Sequence, residues 1–73
     1  MKTRKIMELN ESGLHFTVIK TDDKYNPYRI YEHYNEWDAS GKRTQRKVMV
    51  EKYADLNSVF IYLYHCCLNS GKQ

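Results

Sequence analysis

At 73 residues, with 41% hydrophobic and 14% aromatic side chains, the chain has material for one core, and a fold of this size buries roughly 60% of the surface its unfolded form exposes. That content excludes intrinsic disorder even with 29% charged residues, and a single domain spanning residues 1–73 is expected. The formal net charge of +3 is a modest electrostatic footprint.

The chain opens with three cations, Lys2, Arg4 and Lys5, as a secretory leader would. No apolar run follows them, so neither export nor membrane insertion is expected. Residues 4–9 fit a short extra strand or a charged arm equally well. Residues 10–13 are turn formers, and they introduce Leu14 to Lys20, a run of β-branched and aromatic residues of strand length. Residues 21–27 read as a loop, because Asp22, Asp23 and Asn26 bond to their own backbone and Pro27 removes a ladder donor.

Tyr28 to Trp37 and residues 44–53 read as two strands of a hairpin. They are joined by Asp38-Ala39-Ser40-Gly41, a type I turn whose last residue takes a left-handed conformation. With Asp38 opposite Lys42, Ile30 falls across from Val50 and Glu32 across from Val48 on one face. On the other face Tyr31 meets Met49, and His33 meets Lys47.

Asp55 then caps a helix in which Leu56, Val59, Phe60, Leu63 and Cys67 recur at a 3.6-residue period. That stripe is expected to cover Phe16, Val18, Ile30, Val48 and Val50, with Gly71 as the C-terminal stop. The expected fold class is therefore α+β: a three-stranded antiparallel sheet, with a short N-terminal strand as an optional fourth, packed on one C-terminal helix. Cys66 and Cys67 are neighbours on that helix, about 100° apart around its axis, and cannot easily bridge each other. Such usage suits a reducing, cytoplasmic location, with Cys67 at least as a buried structural thiol.

The sheet face away from the helix is expected to carry Arg29, Tyr31, His33 and Trp37 from one strand and Arg43, Lys47, Met49 and Tyr53 from the next. Cations neutralise phosphates and flat rings stack on bases, so this face suits DNA or RNA. Lys42, Arg43, Arg46 and Lys47 also crowd the hairpin, and a two-stranded ribbon of that kind fits a DNA major groove. The bland alternative is that a solvated hairpin carries charge to stay soluble and to discourage edge pairing. With three antiparallel strands before one helix and basic residues at 42–47, the chain resembles the DNA-binding domains of plant ethylene-response factors and the arm-binding domains of tyrosine-family integrases. It carries no diagnostic motif of either; the resemblance is one of fold order alone and identifies neither family.

A second stripe on the helix, Ile61, Tyr64 and Leu68, calls for another surface to bury against. A second subunit in a homodimer is one candidate, and the N-terminal residues Ile6, Met7 and Leu9 are the other. Metal binding and catalysis find little footing. The run His65-Cys66-Cys67 fans outward on a helix, His15 and His33 stand alone in sequence, and Glu32 and Glu36 share a strand face without a pocket. Gly13, Gly41 and Gly71 make no phosphate loop. No metal, cofactor or enzymatic activity is expected. The reading is a binding module for nucleic acid. The alternative is a protein–protein or regulatory module that docks through its helix or a sheet edge.

Overall fold

Alternating apolar residues lay down the sheet and a 3.6-residue apolar period closes it. The computed structural model describes residues 2–11 and 13–70. It contains β1 (Arg4–Glu11), β2 (Leu14–Lys20), β3 (Tyr28–Trp37), β4 (Arg43–Tyr53) and α1 (Leu56–Ser70). The strands form one antiparallel meander in the order β1-β2-β3-β4. The first segment is thus a full strand of eight residues on the sheet edge, and a four-stranded sheet departs from the three-strand order on which the family resemblance rested. Its pattern was ambiguous for a structural reason. Lys5 pairs with Ile19 but Met7 pairs with Val18, so Ile6 is an extra residue in a bulge and the apolar/polar alternation breaks there.

The β3–β4 turn forms as its residues dictate. Gly41 N donates to the Asp38 carbonyl at 3.0 Å, Asp38 N donates to the Lys42 carbonyl at 3.1 Å, and Gly41 takes φ +85°. The Asp38 carboxylate accepts from Ser40 Oγ at 2.6 Å and from the backbone N–H groups of Ser40 and Lys42, both at 2.9 Å. The Ser40 hydroxyl first, and the backbone donors with it, hold the Asp38 carboxyl below its usual range.

Beyond the turn Tyr31 meets Met49, Glu32 meets Val48 and His33 meets Lys47, but Ile30 faces Glu51 rather than Val50. Val50 is the extra residue of a second bulge, and because side chains alternate with period two, one extra residue exchanges the faces beyond it. Tyr53, expected on the helix-free face, therefore stands opposite Tyr28 and packs on the core, while Lys52 stands across from Arg29.

Phe16, Val18 and Ile30 from the sheet and Val59 and Leu63 from the helix are the buried core. Met7, Leu9, Val50, Tyr53, Tyr62 and Cys66 pack around it. Asp55 caps the helix, its Oδ1 accepting from Ser58 N at 2.8 Å, a bond that keeps the carboxyl below its usual range. The inward stripe is Val59, Tyr62, Leu63 and Cys66, so two expected core positions, Phe60 and Cys67, lie on the surface instead, and Val48 on the sheet is exposed too. Cys66 rather than Cys67 is the thiol turned toward the interior.

The helix is apolar on nearly every side, so hydropathy left its rotation open. The Tyr62 ring sets it, meeting Phe16 edge-on at 6.4 Å and Tyr53 at 6.2 Å. Burial there, with Cys66 beside it, pushes the Tyr62 hydroxyl up to about 12. The expected stop at Gly71 lies outside the described residues. Among those described, no helix is long and apolar enough to cross a membrane.

A sheet with one helix on one side makes a slab 15 Å thick in its shortest dimension. Its radius of gyration is 13.9 Å, against about 11 Å for a compact chain of this length. Part of the excess is a projecting ribbon. β2 pairs with β3 only from Tyr28 to Glu32, so beyond His33 the β3–β4 hairpin continues alone, with every residue from Tyr34 to Met49 exposed.

Candidate functional site

Period-two alternation and the two bulges decide which side chains reach the face away from the helix. β3 places Arg29, Tyr31, His33, Asn35 and Trp37 there. β4 adds Arg43, Gln45, Lys47, Met49 and Lys52, and β2 adds His15 and Thr17, whose partners are Asn10 and Glu8 on β1. The orientation expected from sequence therefore holds for Tyr31, His33 and Lys47: none lies beneath the helix.

At the centre of this face the rings of His15 and His33 stack with centroids 4.2 Å apart. Each histidine is tied at its other end. His15 Nε2 donates to Glu8 Oε2 at 2.9 Å, Lys5 Nζ donates to Glu8 Oε1 at 3.2 Å, and His33 Nε2 shares a 2.7 Å hydrogen bond with the Thr17 hydroxyl. Glu8 is held below its usual carboxyl range by the bond from His15 first and by Lys5 next. His33 is also lowered, chiefly because burial disfavours its charged form, then because His15 and Lys47 add positive charge nearby. The face thus holds His33 toward its neutral, stackable form.

The cations fall into two kinds. Lys47 Nζ sits over the Tyr31 ring, 5.0 Å from its centroid, with no carboxylate in contact. Arg43 stands across from Trp37 at the ribbon's far end, and both are exposed. Arg29 and Arg46 are engaged elsewhere. Arg29 is half-buried beneath the β2–β3 loop, its guanidinium 4.0 Å from Asp23 and its Nε enclosed without a partner. Asp23 is itself fixed by backbone N–H groups of Asn26 and Tyr25, at 3.0 and 2.8 Å, which lower its carboxyl.

Arg46, grouped by sequence with Lys42, Arg43 and Lys47, lies on the opposite side of the ribbon. It is 3.4 Å from Glu36 there. Lys42 is exposed in the turn. The structure therefore brings Tyr31, His33, Trp37, Arg43 and Lys47 onto one surface, leaves Arg29 at its rim, and separates Arg46 from it.

His15, Thr17, Asn35 and Gln45 belong to this surface and were not singled out from sequence. Asn35 and Gln45 are cross-strand partners, and their parity with His33 and Lys47 was a legible signal. The partnership of His15 with His33 was not, because a seven-residue loop leaves the β2–β3 register open. An open concavity of about 490 Å³ lies where the ribbon leaves the sheet, lined among others by Asn10, His15, His33, Asn35 and Gln45. On the other side of the molecule, the expected interface residues Ile61, Tyr64 and Leu68 are exposed. The N-terminal residues offered as their cover, Ile6, Met7 and Leu9, pack on the core from β1 instead. Comparison with protein-family models, curated proteins and solved structures finds no match for this chain.

Proposed function

We propose that this chain is a non-catalytic nucleic-acid-binding module whose contact surface is the helix-free face of the sheet and its continuation onto one side of the β3–β4 ribbon. One observation carries the reading: on that single surface the cations Lys47 and Arg43, neither in contact with a carboxylate, stand across from the rings of His33 and Trp37, with Tyr31 under Lys47, and the ribbon side that bears them has no acidic residue. The other side of the ribbon is neutralised by its own Glu36–Arg46 pair. Cations of the first kind neutralise phosphates, and rings give sequence-tolerant stacking worth roughly 1–3 kcal/mol per base. The amides of Asn10, Asn35 and Gln45 around the concavity supply donor–acceptor pairs of the type that reads base edges.

Fluorescence anisotropy with labelled single- and double-stranded oligonucleotides at two salt concentrations tests the reading. Affinity is expected to fall steeply with salt, and Arg43→Ala with Lys47→Ala to weaken binding at least ~10-fold. Trp37→Ala is expected to weaken binding at both salt concentrations. Binding that ignores salt, or that survives all three substitutions, removes this surface from the proposal.

A further inference from the structure

The outward side of α1 is built unlike the rest of the surface. Phe60, Ile61, Tyr64 and Leu68 are 49%, 52%, 56% and 45% exposed. The fifteen residues Leu56–Ser70 contain no Asp, Glu, Lys or Arg in a chain that is 29% charged. A helix face turned to water normally carries charge, so this one is made for an uncharged, apolar neighbour. An interfacial membrane helix would flank its apolar face with Lys or Arg, and α1 has neither. A protein partner chosen by charge has nothing here to grip.

The spacing of the outward residues names the neighbour. Asn57, Ile61, Tyr64 and Leu68 follow one another at intervals of four, three and four, the seam by which two helices pack along their length. The series is also symmetric about the midpoint between Tyr62 and Leu63. Turned end for end it maps onto itself, so Ile61 of one copy meets Tyr64 of the other, and Asn57 meets Leu68. Phe60 and His65, which flank the seam, obey the same symmetry and pair with each other. These two, with Ile61 and Tyr64, line a groove of about 310 Å³ at that midpoint. A twofold interface needs such a self-complementary patch.

We infer that α1 pairs antiparallel with α1 of a second copy of this chain, seating the Phe60–Tyr64 and Ile61–His65 ridges of each helix in the groove of the other.

The antiparallel arrangement also sets the two helix dipoles head to tail. Half-exposed side chains of this size leave on the order of 100 Å² each, so the four offer about 400 Å² per copy and the pair closes about 800 Å², the size of a small, reversible interface. Among the described residues five apolar side chains form the buried core of each slab, and pairing gives the thin slab a further layer. The helix-free faces point away from the pair, so this assembly is independent of the nucleic-acid proposal.

The test is sedimentation or light scattering on the full chain freed of nucleic acid. The wild type is expected to have the mass of two chains. Ile61→Glu with Leu68→Glu is expected to have the mass of one, with unchanged far-ultraviolet circular dichroism because both positions face outward. For the register, chains carrying Ile61→Cys and Tyr64→Cys, each with Cys66→Ala and Cys67→Ala, are mixed and oxidised. The mixed disulfide is expected to outrun both self-disulfides. A monomeric wild type, or a dimer that survives both glutamates, overturns the inference, and Ile61→Cys chains that cross-link faster to themselves overturn the antiparallel register.

Discussion

The two faces of this sheet are made by the same strands, one residue apart, yet they reach stability by different means. Under the helix, Phe16, Val18 and Ile30 are closed off from water by Val59 and Leu63. On the other face His15 and His33 stack, Thr17 and Glu8 tie their far ends, and Lys47 covers Tyr31. The covered face holds the fold through apolar burial, worth roughly 25 cal/mol per Å². The open face holds itself with contacts worth about 1 kcal/mol or less each. Where folding asks so little of a surface, its chemistry is available for a ligand, and substitutions on the two faces should separate stability from binding.

The largest separation comes from Ile30→Ala, which removes a fully buried side chain of β3 packed between the sheet and the helix. A loss of about 2–5 kcal/mol is expected by urea denaturation, enough to unfold much of a fold this small. A loss below 1 kcal/mol would mean that the covered face is not the core. Thr17→Val on the open face keeps the shape but deletes the 2.7 Å bond to His33. It should cost about 1 kcal/mol in the same assay.

A pH titration sharpens the contrast further. The folded-state pKa of His33 lies below its ordinary 6.5, so its contribution to stability is complete above that pH and drains away as pH falls through the folded value. The lowered carboxyls, Glu8 and Asp23 among them, start from 4.5 and 3.8 and lose their contributions only further down the scale. The denaturation midpoint should thus fall in two stages, and His33→Gln should remove the upper one. A profile unchanged by that substitution would place the upper stage elsewhere. The smallest effect is expected from Arg46→Ala, whose partner Glu36 is as exposed as itself. Its stability should move by less than about 0.5 kcal/mol, and nucleic-acid binding much less than with Arg43→Ala.

The parts of the fold that were legible in the sequence are those fixed by local chemistry. Asp38 and Gly41 dictate the turn, and with it the pairing from Trp37–Arg43 back to Tyr31–Met49. Asp55 marks the helix start. What escaped depended on single-residue insertions and on packing at a distance. Nothing in the run Val48-Met49-Val50 announces that Val50 is the bulge, so strict alternation places Tyr53 on the helix-free face. The rotation of α1 hung on Tyr62, a residue no less apolar than its neighbours until it meets Phe16 and Tyr53. Arg46 is a different case, since simple alternation already separates it from Arg43 and Lys47. The candidate surface was readable along β3 and β4 and unreadable along β2, where the register was set by the loop.

An open meander leaves backbone donors and acceptors unpaired along both outer strands, an invitation for further chains to add on and grow into a fibre. Here each outer strand carries one surplus residue, Ile6 in β1 and Val50 in β4. An incoming strand would meet a local kink and a rotated hydrogen-bonding line at each rim. Edge-to-edge addition of a further strand is thereby disfavoured at those two points.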